Sequence, residues 1–156
     1  MALHMKLAEA LLLRSDIQKR LAQLQDRLDA NAKVQEGDEP AEDVGKMLGE
    51  FEGLASQFRD LLQRINRTNL ATTIDGGQTM TDALASRDVL KIRISCYRRL
   101  ATAAAVQTSR TRPTEIRMVS TVKVSEMREI ADRLAREMRE LDTKIQAANW
   151  ANDLLE

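Results

Sequence analysis

The sequence predicts an all-α fold, an antiparallel four-helix bundle of long helices, and three observations support this prediction. Apolar residues recur at alternating steps of three and four in four segments, the spacing that keeps side chains on one face of an α-helix. Good helix formers dominate, and the 156 residues include only six glycines and two prolines. Turn signals separate the four segments. Each helix is therefore expected to bury one apolar stripe against its neighbours.

The first helix is expected to run from about Lys6 to Asn31. Its stripe is apolar apart from one arginine, and consists of Leu7, Ala10, Arg14, Ile17, Leu21, Leu24 and Leu28. Residues 32–45 follow, with Gly37, Pro40 and a group of acidic residues. This composition is typical of a solvated loop.

The second helix is expected to end at about Arg67. Glu42 or Asp43 near its start suits the positive end of the helix dipole. Its stripe is apolar apart from one asparagine, and consists of Val44, Leu48, Phe51, Ala55, Phe58, Leu62, Ile65 and Asn69.

The third helix follows a turn signal at residues 75–77, and Thr79 with Asp82 resembles a capping pair for it. One stripe consists of Ala83, Arg87, Leu90, Ile94, Tyr97, Ala101 and Ala104. A second stripe beside it consists of Leu84, Ile92, Cys96 and Leu100. Two stripes predict a helix that is buried on two sides. Helix is not expected around Pro113.

The residues before the fourth helix are rich in β-branched side chains with alternating character, which favours an extended conformation. A short two-stranded β ribbon is predicted, with residues 70–74 pairing with 116–120. Ser125 is the expected N-cap of the fourth helix, which should end near Asn149. Its stripe has no polar member, and consists of Met127, Ala131, Leu134, Met138, Leu141, Ile145 and Ala148.

Antiparallel connections bring several polar residues at or beside the stripes towards one end of the predicted bundle. This set, the polar end cluster, consists of Arg14, Asn66, Arg67, Asn69, Arg87, Asp88 and Trp150. Because a buried charge costs free energy unless it is paired, Arg14 needs a partner, and Asp88 or Glu9 is the expected one.

Two functions stay open for the polar end cluster. It is either a buried network that fixes helix register, or a small-anion pocket in which arginines grip a carboxylate or phosphate and the two asparagines orient it. Trp150 either walls that pocket or anchors the end of the chain.

The charge of the chain is zero overall but is unevenly distributed. Residues 36–60 carry eight acidic and two basic residues, a net charge of −6, whereas residues 87–123 carry nine basic and two acidic residues, +7. The two segments neutralise each other either inside one bundle or between copies, and a homo-oligomer is the expected assembly. Polyanion or nucleic-acid binding through residues 87–123 is the alternative. No nucleic-acid recognition pattern is present, so we do not expect nucleic acid as a partner.

The titratable residues favour a protein that is not an enzyme, although they do not decide the question. Residues 1–4 end in a His-Met junction typical of a cloning scar, and His4 is the one histidine of the chain. Without it, the common metal sites of helical bundles and Ser-His or Cys-His catalysis are lost. Cys96, the single cysteine, is most simply a small buried hydrophobic residue. We therefore predict no catalytic residue, no metal and no cofactor.

The remaining expectations concern domain organisation and location. Residues 5–156 are predicted to form a single helical-bundle domain. The chain has no apolar run of about 18 residues and no secretion signal at its start. We therefore expect a cytoplasmic protein and no membrane partner.

Five segments together resemble one family of small bacterial proteins. They are MKLAEALLLRSDIQKRL, NAKVQEGDEPAED, RINRTNLAT, EIRMVSTV and ELDTKIQAANWANDL, and they span nearly the whole chain from Met5. The resemblance is to the septicolysin-like family, whose label implies a cytolysin or membrane-active protein. It assigns no catalytic residues. Membrane activity is therefore a further alternative function.

Overall fold

The structure is a computed structural model that describes residues 4–105, 116 and 118–156. These residues form four α-helices, which are α1 (Leu7–Ala30), α2 (Val44–Ala71), α3 (Met80–Ala104) and α4 (Val124–Ala151). The prediction of a mostly helical chain is confirmed. The antiparallel bundle arrangement stays a prediction.

Contacts group the chain into two compact units. The first unit consists of Met1–Thr73 and Gln146–Glu156, and the second unit is Ile74–Ile145. The single domain over residues 5–156 stays a prediction, and each unit is described by itself.

In the first unit, α1 packs along α2 as its stripe predicts. Ile17, Leu24 and Leu28 are buried, and Leu21 is partly buried. The helix starts after Lys6, whose backbone N–H donates to the Glu9 carboxylate at 2.7 Å. This bond satisfies one of the amides that a helix start leaves without a partner inside the helix.

The stripe of α2 agrees with the prediction at Phe51, Phe58 and Ile65, whereas Met47, Leu54 and Leu61 are buried in place of their predicted neighbours Leu48, Ala55 and Leu62. Its buried members are Met47, Leu54, Leu61, Ile65 and Thr68. Leu48, a predicted core residue, is 48% exposed. The physical reason is that α2 has apolar neighbours at 47–48, 54–55 and 61–62, so two registers satisfy the helical spacing equally well.

An ion pair closes the connection between α1 and α2. The Arg27 guanidinium binds the Glu42 carboxylate, with Nε 3.1 Å from both oxygens. Asn31 accepts from the Glu42 backbone N–H at 3.0 Å and donates to the Arg27 carbonyl at 2.9 Å. Asp43 then caps α2, accepting from the Lys46 backbone N–H at 3.1 Å. The acidic loop is thus held at both ends by hydrogen bonds from its own residues.

The β ribbon is present, but with a different partner from the one predicted. Strand β1 (Thr73–Ile74) pairs with β2 (Gln78–Thr79) across a short 3₁₀ turn at Asp75–Gly77. Gly76 and Gly77 have φ of +83° and +80°, which residues with a Cβ rarely adopt. The two glycines therefore allow a local hairpin, and residues 116 and 118–120 are not in a strand. The predicted pairing of 70–74 with 116–120 is wrong.

In the second unit, α3 packs against α4 through a small core. Ile94, Leu134 and Ala135 are buried, and Leu90 and Tyr97 pack partly buried against them. This confirms the first predicted stripe of α3 and the stripe of α4.

The start of α3 has the predicted N-cap, whereas the start of α4 does not. Thr79 caps α3, accepting from the Asp82 backbone N–H at 3.1 Å, as its sequence predicts. The fourth helix begins at Val124, so Ser125 lies in its first turn and is not the N-cap. Pro113 lies outside the described residues.

In the first unit, the segment that follows α4, residues 152–156, pairs with the chain just before α1. The Leu7 N–H donates to the Asn152 carbonyl at 3.0 Å, and the Leu154 N–H donates to the Met5 carbonyl at 2.8 Å. The Lys6 ammonium binds the Asp153 carboxylate at 2.7 Å. Lys6 lowers the pKa of Asp153, mainly through this hydrogen bond.

The second helix also holds residues 152–156. Arg64 and Arg67 donate to the backbone carbonyls of Leu155 and Glu156, at 3.0 and 2.7 Å. The Thr68 hydroxyl accepts from the Leu155 N–H at 3.0 Å. Between these bonds, Leu154 enters a core formed by Leu7, Ala10, Ile17, Leu61 and Ile65.

We predict that Leu154→Ala lowers the free energy of unfolding by about 2–4 kcal/mol, because it removes a buried side chain and leaves a cavity. Leu154 is 5% exposed, whereas its neighbour Leu155 is 45% exposed. The matched control Leu155→Ala should change stability by no more than about 0.5 kcal/mol. Urea unfolding followed by circular dichroism measures both values. Equal losses in the two variants would contradict the packing described here.

We also predict that the Arg27–Glu42 pair makes stability depend on pH. The hydrogen bond from Arg27 lowers the pKa of Glu42 in the folded chain. The contribution is therefore present above the ordinary glutamate pKa and is lost as the pH falls through the lowered value. Urea unfolding between pH 7 and pH 3 should show the advantage of the wild type over Glu42→Gln disappearing with acid. Glu39→Gln, in the same loop, is the control and should follow the wild type.

Candidate interaction surface on the third helix

The third helix has a second apolar stripe that no part of the described chain covers. Ile92 is 70% exposed, Val89 is 54% exposed, and Leu100 and Cys96 are also exposed. Together with Ala103, these residues recur at steps of 3, 4, 4 and 3 and lie on one side of the helix. We call them the α3 outer face. Among the described residues the predicted burial of α3 on two sides is wrong, because the stripe around Ile94 is packed while Ile92, Cys96 and Leu100 of the predicted second stripe are exposed and Leu84 is partly buried.

A shallow groove runs along the α3 outer face. Its lining consists of Lys91, Ile92, Ser95, Cys96, Arg99, Leu100 and Ala103. A second depression shares Leu100 and Ala103 with it and continues over residues 118–121. Met118 and Val119 are exposed there. The apolar surface therefore extends from α3 onto the segment that precedes α4.

The edges of the α3 outer face are basic. Arg93 and Arg99 are exposed on its two sides, and Lys91 lines the groove. Residues 87–104 contain five basic residues and one acidic residue, Asp88. The Asp88 carboxylate lies 3.5 Å from the Lys91 ammonium. The surface thus combines apolar side chains with a positive rim.

Cys96 lies in the middle of this surface. Its thiol is free and exposed. The prediction of a small buried hydrophobic residue is wrong, since Cys96 belongs to the stripe that stays uncovered.

Five residues of the predicted polar end cluster belong to the first unit. Arg14 and Asn69 are partly buried, and Asn66 is exposed. Arg67 is exposed and holds the Glu156 carbonyl. Trp150 is 56% exposed, so it is not the hydrophobic anchor considered for the end of the chain. Leu154 has that role.

The described contacts do not include an ion pair between Arg14 and either of its expected partners, Glu9 and Asp88. The Glu9 carboxylate accepts from the backbone N–H of Lys6, and Asp88 lies beside Lys91. Arg14 keeps its predicted place on the stripe of α1, where it is partly buried.

The other two members, Arg87 and Asp88, belong to the second unit. Arg87 donates through Nη1 to the Asp142 carboxylate at 3.0 Å, and its Nε is buried without an acceptor. This ion pair joins α3 to α4. The sequence reasoning missed Asp142, although it lies directly after the stripe residue Leu141 and could have been sought as a partner for Arg87. The polar end cluster as a joint site of all seven residues stays a prediction.

The described residues contain no group of three or more His, Cys, Asp or Glu side chains that could hold a metal ion. Within the same part of the chain, none of the helices has both the length and the apolar character needed to cross a membrane.

Comparison with known proteins identifies the family. Residues 14–154 match the family model DUF6847, a family of unknown function. The chain belongs to the DUF6847 family. Similarity to a solved structure extends over the whole length, since a functionally unknown conserved protein from Corynebacterium diphtheriae is 42% identical with a TM-score of 0.91. That match covers 97% of this chain and 99% of the other. None of the curated proteins matches the chain.

The DUF6847 match overturns the septicolysin-like resemblance. Neither the family model nor the structural neighbour has any link to septicolysin. The resemblance rested on five short segments, whereas the family model matches residues 14–154. The cytolysin hypothesis loses its basis.

We predict that Cys96 of the folded DUF6847 chain reacts with a maleimide in dilute solution about as fast as in the urea-unfolded chain. An exposed thiol needs no opening of the structure, whereas a buried thiol reacts only through opened states. Mass spectrometry of timed samples measures the rate, and Cys96→Ser should give no adduct. Labelling that requires urea would show that the α3 outer face is covered.

Proposed function

We propose that this protein is a cytoplasmic, non-enzymatic helical protein whose function depends on self-association through the α3 outer face. The observation that carries the proposal is the uncovered stripe around Ile92. Contiguous apolar surface of this kind marks an interaction site more often than a single exposed leucine does.

The free energy available from this surface is large enough to support association. Burying a Val, Leu or Ile side chain completely contributes about 1.5–3 kcal/mol. Val89, Ile92 and Leu100 belong to the α3 outer face, and Met118 and Val119 extend it. Burial of several such side chains at one contact is comparable with an association cost of about 4–15 kcal/mol.

One further feature supports a second copy of the same chain as the partner. The DUF6847 chain carries a positive region on α3 and an acidic region before and within α2, so each copy offers both charges. The free thiol of Cys96 at the centre of the surface suits a cytoplasmic location, because that compartment is reducing.

The small-anion and polyanion hypotheses stay open, but the described contacts favour them less. Two of the guanidinium groups that a small anion would need already have acceptors, namely the Glu156 carbonyl for Arg67 and the Asp142 carboxylate for Arg87. The basic residues of α3 border apolar side chains, which a polyanion alone would leave exposed.

Size-exclusion chromatography with light scattering tests the proposal. We expect the wild type to form oligomers at micromolar concentration and Ile92→Glu to be monomeric, because a buried unpaired carboxylate at the centre of the interface is costly. Leu12→Glu is the matched control, since Leu12 is 65% exposed on α1 and is not a member of the α3 outer face. That variant should associate like the wild type. A wild type that stays monomeric at the highest attainable concentration would rule the function out.

A further inference from the structure

The basic edges of the α3 outer face restrict what the second copy can place against it. At about 100° per residue, Arg93 and Arg99 project about 60° to either side of Cys96. If two α3 outer faces met each other, four guanidinium groups would surround one apolar contact. Such like-charge contacts are unfavourable in an interface. A complementary surface should therefore be acidic and able to receive large apolar side chains.

The first half of α2 has these properties. Gly45, Gly49 and Gly53 recur every four residues and are exposed, and Glu50 and Glu52 lie among them. Residues 44–53 of α2 carry Glu50 and Glu52 against Lys46, a net charge of −1, and the five acidic residues of the preceding loop, 36–43, bring the region to −6, against +4 for residues 87–104. We call Gly45, Gly49, Glu50, Glu52 and Gly53 the α2 acidic face.

The glycines leave open space on this side of α2. A Cβ on Gly49 or Gly53 would meet no heavy atom of the described chain within 4 Å. Packing within the chain therefore does not require glycine at either position. Each glycine in a helix costs about 0.5–1 kcal/mol relative to alanine. A helix without side chains on one side permits a second helix to approach closely.

We propose that the α3 outer face of one copy docks on the α2 acidic face of a second copy. Ile92 and Leu100 lie over the glycines, and Arg93 and Arg99 pair with Glu50 and Glu52. Charge complementarity and the exposed apolar stripe carry this inference, and the glycines allow the approach. It rests on the proposed function, because it names the partner surface of the same site. The contact is heterologous, since two different surfaces meet.

Charge reversal tests the pairing with two variants of the full chain. The first, Arg93→Glu with Arg99→Glu, makes the edges of the α3 outer face acidic, and the second, Glu50→Lys with Glu52→Lys, makes the charged residues of the α2 acidic face basic. All four residues are exposed, so each variant should keep the fold, which circular dichroism and thermal unfolding verify. Each variant alone should associate roughly tenfold more weakly than the wild type, because the residues that meet at the contact then carry the same sign. A mixture of the two should recover association, because the first variant supplies an acidic α2 and the second a basic α3.

The outcomes separate this inference from the proposed function. Association of the second variant at wild-type strength would show that α2 is not the partner surface, while self-association through α3 would stand. Two monomeric variants that fail to associate when mixed would overturn the inference as well. A monomeric wild type would remove the proposed function itself. The salt dependence of association is an independent test. Added salt should weaken a contact between opposite charges and strengthen a contact between two basic α3 faces.

Discussion

The burial of Leu154 is the contact on which the first unit depends. Its side chain lies in the core between α1 and α2, and main-chain hydrogen bonds on both sides fix its position. The bonds to Met5 and to Thr68 each involve a backbone N–H next to that side chain. Because each hydrogen bond contributes only about 0.5–1.5 kcal/mol net, the buried leucine, at about 1.5–3 kcal/mol, is the largest single contribution, and the bonds fix the register.

In the described part of the second unit, α3 is packed on one side and exposed on the other. The packed side contributes Ile94 to a core cluster with Leu134 and Ala135 of α4. The chain is only 3% aromatic, so few large side chains are available to widen such a core. One side of α3 packs against α4, and no helix of the described chain packs against the remaining stripe. The α3 outer face is therefore exposed because α3 has two apolar stripes and only one of them has a neighbouring helix in the described chain.

Much of this fold could be predicted from the sequence, and the failures have particular physical causes. The stripes of α1 and α4 were correct because each keeps the three-and-four spacing over six steps, although adjacent apolar residues occur at 11–13 and 134–135. The α2 stripe was wrong at three positions because pairs such as Met47 and Leu48 are adjacent and equivalent by pattern. Periodicity located the second stripe of α3 but could not show whether anything covers it. That depends on contacts between residues far apart in the chain.

The candidate site shows the same limit. Composition made Trp150 the expected anchor, whereas the smaller Leu154 fits the space between α1 and α2. Arg87 was placed correctly on its stripe, but its partner Asp142 lies 55 residues away, and one-dimensional spacing does not specify such pairs. The glycines of α2 imply, in addition, that its opening turns are the least stable part of that helix. The Asp43 cap stabilises the start of the helix by only about 1 kcal/mol, so those turns should show the lowest hydrogen-exchange protection in α2. A docked partner would stabilise them.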